Sequence, residues 1–235
     1  MKKVIKTSLL VMALMTPTLS HGQASTTNSI YIQQVGDAST ISITQEGQGN
    51  EVGNRTTDTP MVLQGDGQNV AITMDGSSNK INGDIKQSDG SSTTVTLTGD
   101  SNDINFDVGN AADTGGSTST FTVAGSSNEI NFNQGKVSSA TNMTQSFTLT
   151  GDLNTVTQNV ETNDVENTFV VAGDSNIITT TQNGQPGKNI DMTLTGGQNT
   201  VTINQKSTLN VDSVKLNSTS TGSTITINQC NAGGC

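Results

Sequence analysis

A pair of carboxylates at the right separation can cleave a glycosidic bond, and an oxygen-rich bend can hold Ca²⁺. The sequence raises both chemistries by writing Gly-Asp at four comparable places, Asp37, Asp100, Asp152 and Asp174. Neither is well supplied. The single histidine, His21, falls near the N-terminus, and no motif sets a nucleophile beside a base. Calcium-binding nonapeptide repeats need a shorter period and more glycine than these bends contain. We therefore expect no enzyme, no metal and no cofactor. The acids read as solvated bend residues, whose like charges on neighbouring strands would oppose association.

The elements that place those bends must be built from unusual material. Only 30% of the 235 residues are apolar and 3% aromatic, with no Trp, so a bulky Leu-and-aromatic core is out of reach. Low hydrophobicity with a net charge of −10 would ordinarily mean disorder. Disorder, however, has no use for apolar residues on a strict period. The N-terminus reads as a secretory leader over residues 1–24, with Lys2, Lys3 and Lys6 ahead of an apolar Leu9–Met15 run and small residues at Gly22 and Ala24. That run is far shorter than the ~20 residues of a membrane span. Removing the leader leaves twenty acidic residues against seven basic ones, a net charge of −13. Nucleic acid and anionic membranes do not attract such a chain, so we expect neither as a partner.

The period is the most informative feature. A glycine recurs as Gly76, Gly99, Gly125, Gly151, Gly173 and Gly196, at intervals of 22 to 26 residues, with an earlier relative at Gly36. Three residues after each comes Asn79, Asn102, Asn128, Asn154, Asn176 and Asn199, with Ser39 in the first copy. Before the glycine, alternate positions are apolar, as in Val95/Leu97, Phe121/Val123, Phe147/Leu149 and Phe169/Val171; after the Asn the alternation resumes, as in Ile104/Phe106 and Ile130/Phe132. Alternation of period two means strands with one buried face. Gly and Asn between them supply a tight bend, because both tolerate positive φ and Asn can bond neighbouring backbone. A repeat of two strands and two bends is one coil, which buries its apolar residues only against the next. The expectation is an all-β fold, a β-solenoid of about seven or eight two-stranded coils over residues 25–235. In such a stack Asn lies over Asn, and Phe121, Phe147 and Phe169 pile up. Residues 51–60, which hold the only Arg, read as an irregular loop after the first coil or a junction to the main stack.

The stretch NSIYIQQVGDASTISITQ, Asn28 to Gln45, resembles the curlin repeat of bacterial curli fibres. Gln34-x-Gly36 and Gln45 fall in step with that pattern, and Gln45-Glu46-Gly47-Gln48-Gly49-Asn50 restarts it. Later copies keep the Gly, the Asn and a closing Gln at Gln134, Gln182 and Gln205, while Ile85, Val108 and Val160 replace that Gln elsewhere. The resemblance is close over residues 28–50 and architectural over most of the rest. It implies a secreted, extracellular or cell-surface subunit that joins copies of itself into amyloid-type fibres of a biofilm matrix. A related minor subunit and an outer-membrane secretion channel would be its partners.

Two further features bear on an alternative, a monomeric adhesin or ice-binding solenoid. Thr96/Thr98, Thr148/Thr150 and Thr193/Thr195 form Thr-x-Thr pairs on the outward side of their strands, a row similar to the ice-binding face of some solenoid antifreeze proteins. Cys230 and Cys235 bracket a flexible Asn-Ala-Gly-Gly. In an exported chain this favours a small intrachain ring that caps one end, with free thiols or a bridge to another chain as the alternatives.

Overall fold

The structure is a computed structural model, described here for residues 28–30, 32–35, 40–47, 50–53, 61–64, 67–76, 79–86, 90–99, 102–108, 116–134, 143–161, 164–183, 187–206 and 212–230. The expected leader, together with Gly36, Asp37, Ser39, Asp100 and Cys235, lies outside these residues. Among the described residues nineteen strands follow one another: β1 Asn28–Ile30, β2 Gln33–Val35, β3 Thr40–Glu46, β4 Asn50–Val52, β5 Met61–Gln64, β6 Asn69–Asp75, β7 Lys80–Lys86, β8 Ser92–Thr98, β9 Asp103–Val108 and β10 Thr118–Ala124. They continue as β11 Glu129–Gln134, β12 Met143–Thr150, β13 Thr155–Glu161, β14 Val165–Ala172, β15 Ile177–Asn183, β16 Asn189–Thr195, β17 Thr200–Lys206, β18 Ser213–Thr219 and β19 Thr224–Cys230.

These strands form two parallel sheets. The first runs β1-β4-β7-β9-β11-β13-β15-β17-β19, with β2 and β5 beside it; the second runs β3-β6-β8-β10-β12-β14-β16-β18. The chain crosses from one sheet to the other at every bend, which makes it the all-β solenoid that the period predicts. Parallel sheets sandwiched between helices read as continuous apolar runs. Here the strands alternate, as in the pattern eBiBeBi of β10, because only the face between the two sheets is dry.

Register is constant around each coil. Phe121 faces Phe147 in the second sheet and Glu129 faces Thr155 in the first, both 26 residues on. From β6 onward coils change length only in the loops that lead from the first sheet back to the second, so equivalent residues stay in columns. Phe121, Phe147 and Phe169 stack at 5.0 Å with nearly parallel rings. Phe106 and Phe132 form a shorter stack from the opposite sheet, and Phe132 meets Phe121 and Phe147 edge-on at 5.0 and 5.8 Å. Burying a ring of this size stabilises the fold by about 1.5–3 kcal/mol, so this aromatic block anchors the middle of a thin core.

The interior is not wholly apolar. Where Phe132 gives way to Gln158 in the next coil, Gln158 Nε2 donates to Asn167 Oδ1 at 2.8 Å and to Gln145 Oε1, and Thr180 Oγ1 donates to Gln158 Oε1 at 2.5 Å. All four residues are fully buried, and mutual bonding offsets part of their desolvation. Lys188 is also fully buried, with its ammonium 3.4 Å from the Asp212 carboxylate.

The first coils depart from expectation in two ways. Glu51 and Val52 lie opposite Lys80 and Ile81, yet Met61 lies opposite Gly83. β4 and β5 therefore lie in line along β7, with Asn82 between their partners. Glu51 and Val52, expected in the irregular segment 51–60, are strand residues of β4, and 54–60 lie outside the described residues. The second departure concerns the first bend. Thr40 pairs with Asn69 and Glu46 with Asp75, so the residues beneath Gly76 and Asn79 are Gly47 and Asn50, in place of Gly36 and Ser39.

Candidate functional site

The bend that carries the Gly-x-x-Asn signature always leads from the second sheet to the first. Its glycine holds φ between +115° and +139° at Gly76, Gly99, Gly125, Gly151, Gly173 and Gly196. The second positive-φ residue is the one before the Asn, namely Ser127 (60°), Leu153 (60°), Ser175 (58°) and Gln198 (55°). Of the two roles expected of Asn, the positive φ falls on the residue before it, while the expected side-chain bonding is what the Asn performs.

That side chain ties each coil to the next. Asn79 N–H donates to Asn102 Oδ1 at 3.1 Å, Asn102 to Asn128 at 2.7 Å, Asn128 to Asn154 at 2.9 Å, Asn154 to Asn176 at 2.8 Å and Asn176 to Asn199 at 2.8 Å. The amide nitrogen also caps its own bend, as in Asn102 Nδ2 to Gly99 O at 2.9 Å and Asn154 Nδ2 to Gly151 O at 3.0 Å. Similar bonds occur beyond the six expected asparagines, separated from them at one end by Asn79 Oδ1, which accepts no bond. Asn28 Nδ2 donates to Asn50 Oδ1 at one end, and Asn199 N–H donates to Ser223 Oγ at 3.0 Å at the other. Sequence reasoning missed Asn28, Asn50 and Ser223, although Asn50 follows Gly47 at the standard spacing.

Removing one buried acceptor strands its donors, at about 1–3 kcal/mol each. Asn128 Oδ1 serves both Asn102 N–H and Asn102 Nδ2, so Asn128→Ala should cost about 3 kcal/mol of unfolding free energy in a denaturant titration. Asn159 makes a similar amide bond to Asn133 Oδ1 at 2.9 Å, but in an exposed position. Asn159→Ala should stay within about 0.5 kcal/mol of wild type, and equal losses at the two sites would show that burial is not what gives the ladder its strength.

The glutamines divide. Gln134, Gln182 and Gln205 are buried in one column of the first sheet, where Gln205 Nε2 donates to Gln182 Oε1 at 3.0 Å and Gln229 Nε2 to Gln205 Oε1 at 2.8 Å. Val160 interrupts the column between Gln134 and Gln182. Gln45 is buried too but belongs to the second sheet, in register with Met74, so it does not join them. Gln34 lies opposite Leu63 at the start of the glutamine column.

The bend acids have backbone partners. Asp152 Oδ1 accepts from Asp174 N–H at 2.7 Å, and Asp174 Oδ1 from Gly197 N–H at 2.5 Å. Each carboxylate therefore fastens one coil to the next. Among the described residues no group of three or more His, Cys, Asp or Glu is placed to hold a metal ion. Cys230 closes β19 and is buried, while its expected partner Cys235 lies outside the described residues.

At the C-terminal end the columns stop in the open. Among the described residues no strand pairs beyond β18 or β19. Ile203 is fully buried, yet Ile227 directly above it is 42% exposed, and Val214, Leu216 and Ile225 are half-buried. The other end begins with β1 and β3, where Ile30, Ile32 and Ile41 are half-buried against the core. Among the described residues these two ends carry strand edges without a partner strand, and such edges are templates for pairing with another chain.

The fold defines a parallel β-solenoid with an amide ladder along one bend. In comparisons with known proteins the chain matches no protein-family model, no curated protein and no solved structure.

Proposed function

We propose that this is a secreted structural protein, a curlin-like subunit that joins copies of itself end to end into an extracellular fibre. The observation that carries the reading is the exposure of Ile227 on an open edge strand, at the head of a column that is otherwise buried. Edge-strand addition gives affinity through main-chain bonds and specificity through alternate side chains.

Three columns make the two ends complementary. The column that begins at Ile30 passes through Val52, Ile81 and Ile104 and finishes at Ile225. The column that begins at Gln34 finishes at Gln229. The ladder has a direction: from Asn79 to Asn199 each backbone N–H donates to the side chain of the following coil, so Ser223 N–H of one copy would meet Asn28 of the next. A head-to-tail contact of this kind does not close and generates a filament. Both ends finish on the first sheet, so that sheet continues across the junction while the second is left one strand short. The nine strands in line along the first sheet then set the subunit repeat at about 43 Å.

The test is electron microscopy of the purified chain without residues 1–24, with and without reductant. Fibres with a repeat near that length support the reading. Fibres only under reducing conditions would assign Cys230 and Cys235 to a cap, whereas a stable monomer in both conditions would remove the proposal. Ile227→Lys should abolish elongation and leave the melting temperature of the monomer nearly unchanged, because the residue is already exposed.

A further inference from the structure

The outer face of the second sheet has a composition that neither stacking nor assembly requires. On β8, β10 and β12 the outward positions are Thr or Ser throughout, except Ala124, and none is charged. The chain around them carries twenty acidic residues. On the neighbouring strands of the first sheet, outward positions instead hold Asp103, Glu129 and Glu161. Thr is a good residue for any exposed strand, but that preference applies equally to both faces. The first sheet does carry a Thr column, through Thr157, Thr179 and Thr202. On one side the column of Thr155, Thr200 and Thr224 is broken by the exposed Ile177, and on the other runs an asparagine ladder such as Asn228 Nδ2 to Asn204 Oδ1 at 2.8 Å.

The register turns the second-sheet face into a lattice. Thr96, Thr122 and Thr148 form one column, with Thr94 and Thr120 heading the column beside it. Their hydroxyls and methyls repeat at about 4.8 Å along the stack and about 6.6 Å along each strand. The hydrogen-bonded coils hold that spacing rigidly. The patch ends where charge returns, at Asp75 on β6, Glu166 on β14 and Asp191 on β16.

We infer that this face binds ice. A charge-free array offers nothing to a phosphate, a mineral cation or an anionic membrane. Polysaccharide surfaces are commonly held by aromatic platforms, but all five Phe are buried and Trp is absent. What remains is an ordered, uncharged surface of hydrogen-bonding groups at a similar repeat, and a water lattice meets that description. Rigid methyls would hold water in an ordered arrangement while the hydroxyls bond to it, so the face docks without rearranging.

The experiment is thermal hysteresis and ice-crystal shaping by the folded chain. Wild type should lower the freezing point below the melting point and facet growing crystals. Thr122→Lys, in the middle of the array, should reduce the hysteresis severalfold, whereas Thr202→Lys on the other sheet should keep it; circular dichroism establishes that both variants are folded. Hysteresis no larger than that of an unrelated soluble protein would overturn the inference, as would equal loss from the two variants. Retention on insoluble cellulose or chitin without hysteresis would overturn it in favour of a polysaccharide. Fibres without hysteresis would sink this inference alone, and hysteresis from a chain that never polymerises would sink only the assembly reading.

Discussion

Gly99→Ala should destabilise the solenoid by about 4 kcal/mol or more, enough to remove most of the native population of a marginally stable chain. Two costs add at this position. The residue sits at φ +125°, where an L side chain is strained. A Cβ would also lie 1.7 Å from the carbonyl oxygen of Gly76 and 2.6 Å from its carbon. Those are backbone atoms of the adjacent coil, so no side-chain rotation relieves the clash. The two coils would have to part at the bend, stretching the bond from Gly76 N–H to Thr98 O at 3.0 Å and that from Asn79 N–H to Asn102 Oδ1. Gly116 separates the two costs: it has φ +69° and open space where its Cβ would stand. Gly116→Ala should therefore cost only about 1–2 kcal/mol, the price of the left-handed backbone. Thermal melts of the two variants decide the point, and similar losses would mean that close approach of coils is not why the bend demands glycine.

The same geometry explains what could be read from the sequence. A column fixes its residue type because each copy occupies the same slot, so Asn102, Asn128 and Asn154 stand out without any knowledge of neighbours. The Phe121 column is legible for the same reason. Register across the coil is not. Gln34-x-Gly36 and Gln45-x-Gly47 look alike locally, and only strand pairing shows that the second lies beneath Gly76. The interval from Asn50 to Asn79 is longer than the later ones, which hid their relation and put Gln45 in the wrong column. The left-handed residue was equally hidden. It falls on Ser127, Leu153 and Gln198, whose types carry no such signal, because the following Asn is committed to the ladder through its side chain. Gln145, Gln158 and Asn167 belong to no column of repeated type, and their meeting across the buried core depends on which coil faces which.

Phe147→Ala should cost about 3–5 kcal/mol, the range for deleting a large aromatic from a packed interior. The upper part of that range applies here because the site cannot collapse. Phe147 lies between Phe121 and Phe169, each 5.0 Å away, and against the edge of Phe132 at 5.8 Å. The coils above and below are held at their spacing by backbone ladders, so the void stays open. Phe169 offers the comparison: it has Phe147 on one side and Met192 on the other. Met is flexible and fills irregular gaps, so Phe169→Ala should lose about 1 kcal/mol less than Phe147→Ala. A stack in which each coil contacts only its neighbours also localises the damage. Hydrogen exchange should quicken first in β10, β12 and β14 and leave β16 to β18 protected. If Phe169→Ala proves as costly as Phe147→Ala, or exchange quickens uniformly along the stack, rigid coil spacing is not what sets the cost of a hole in this core.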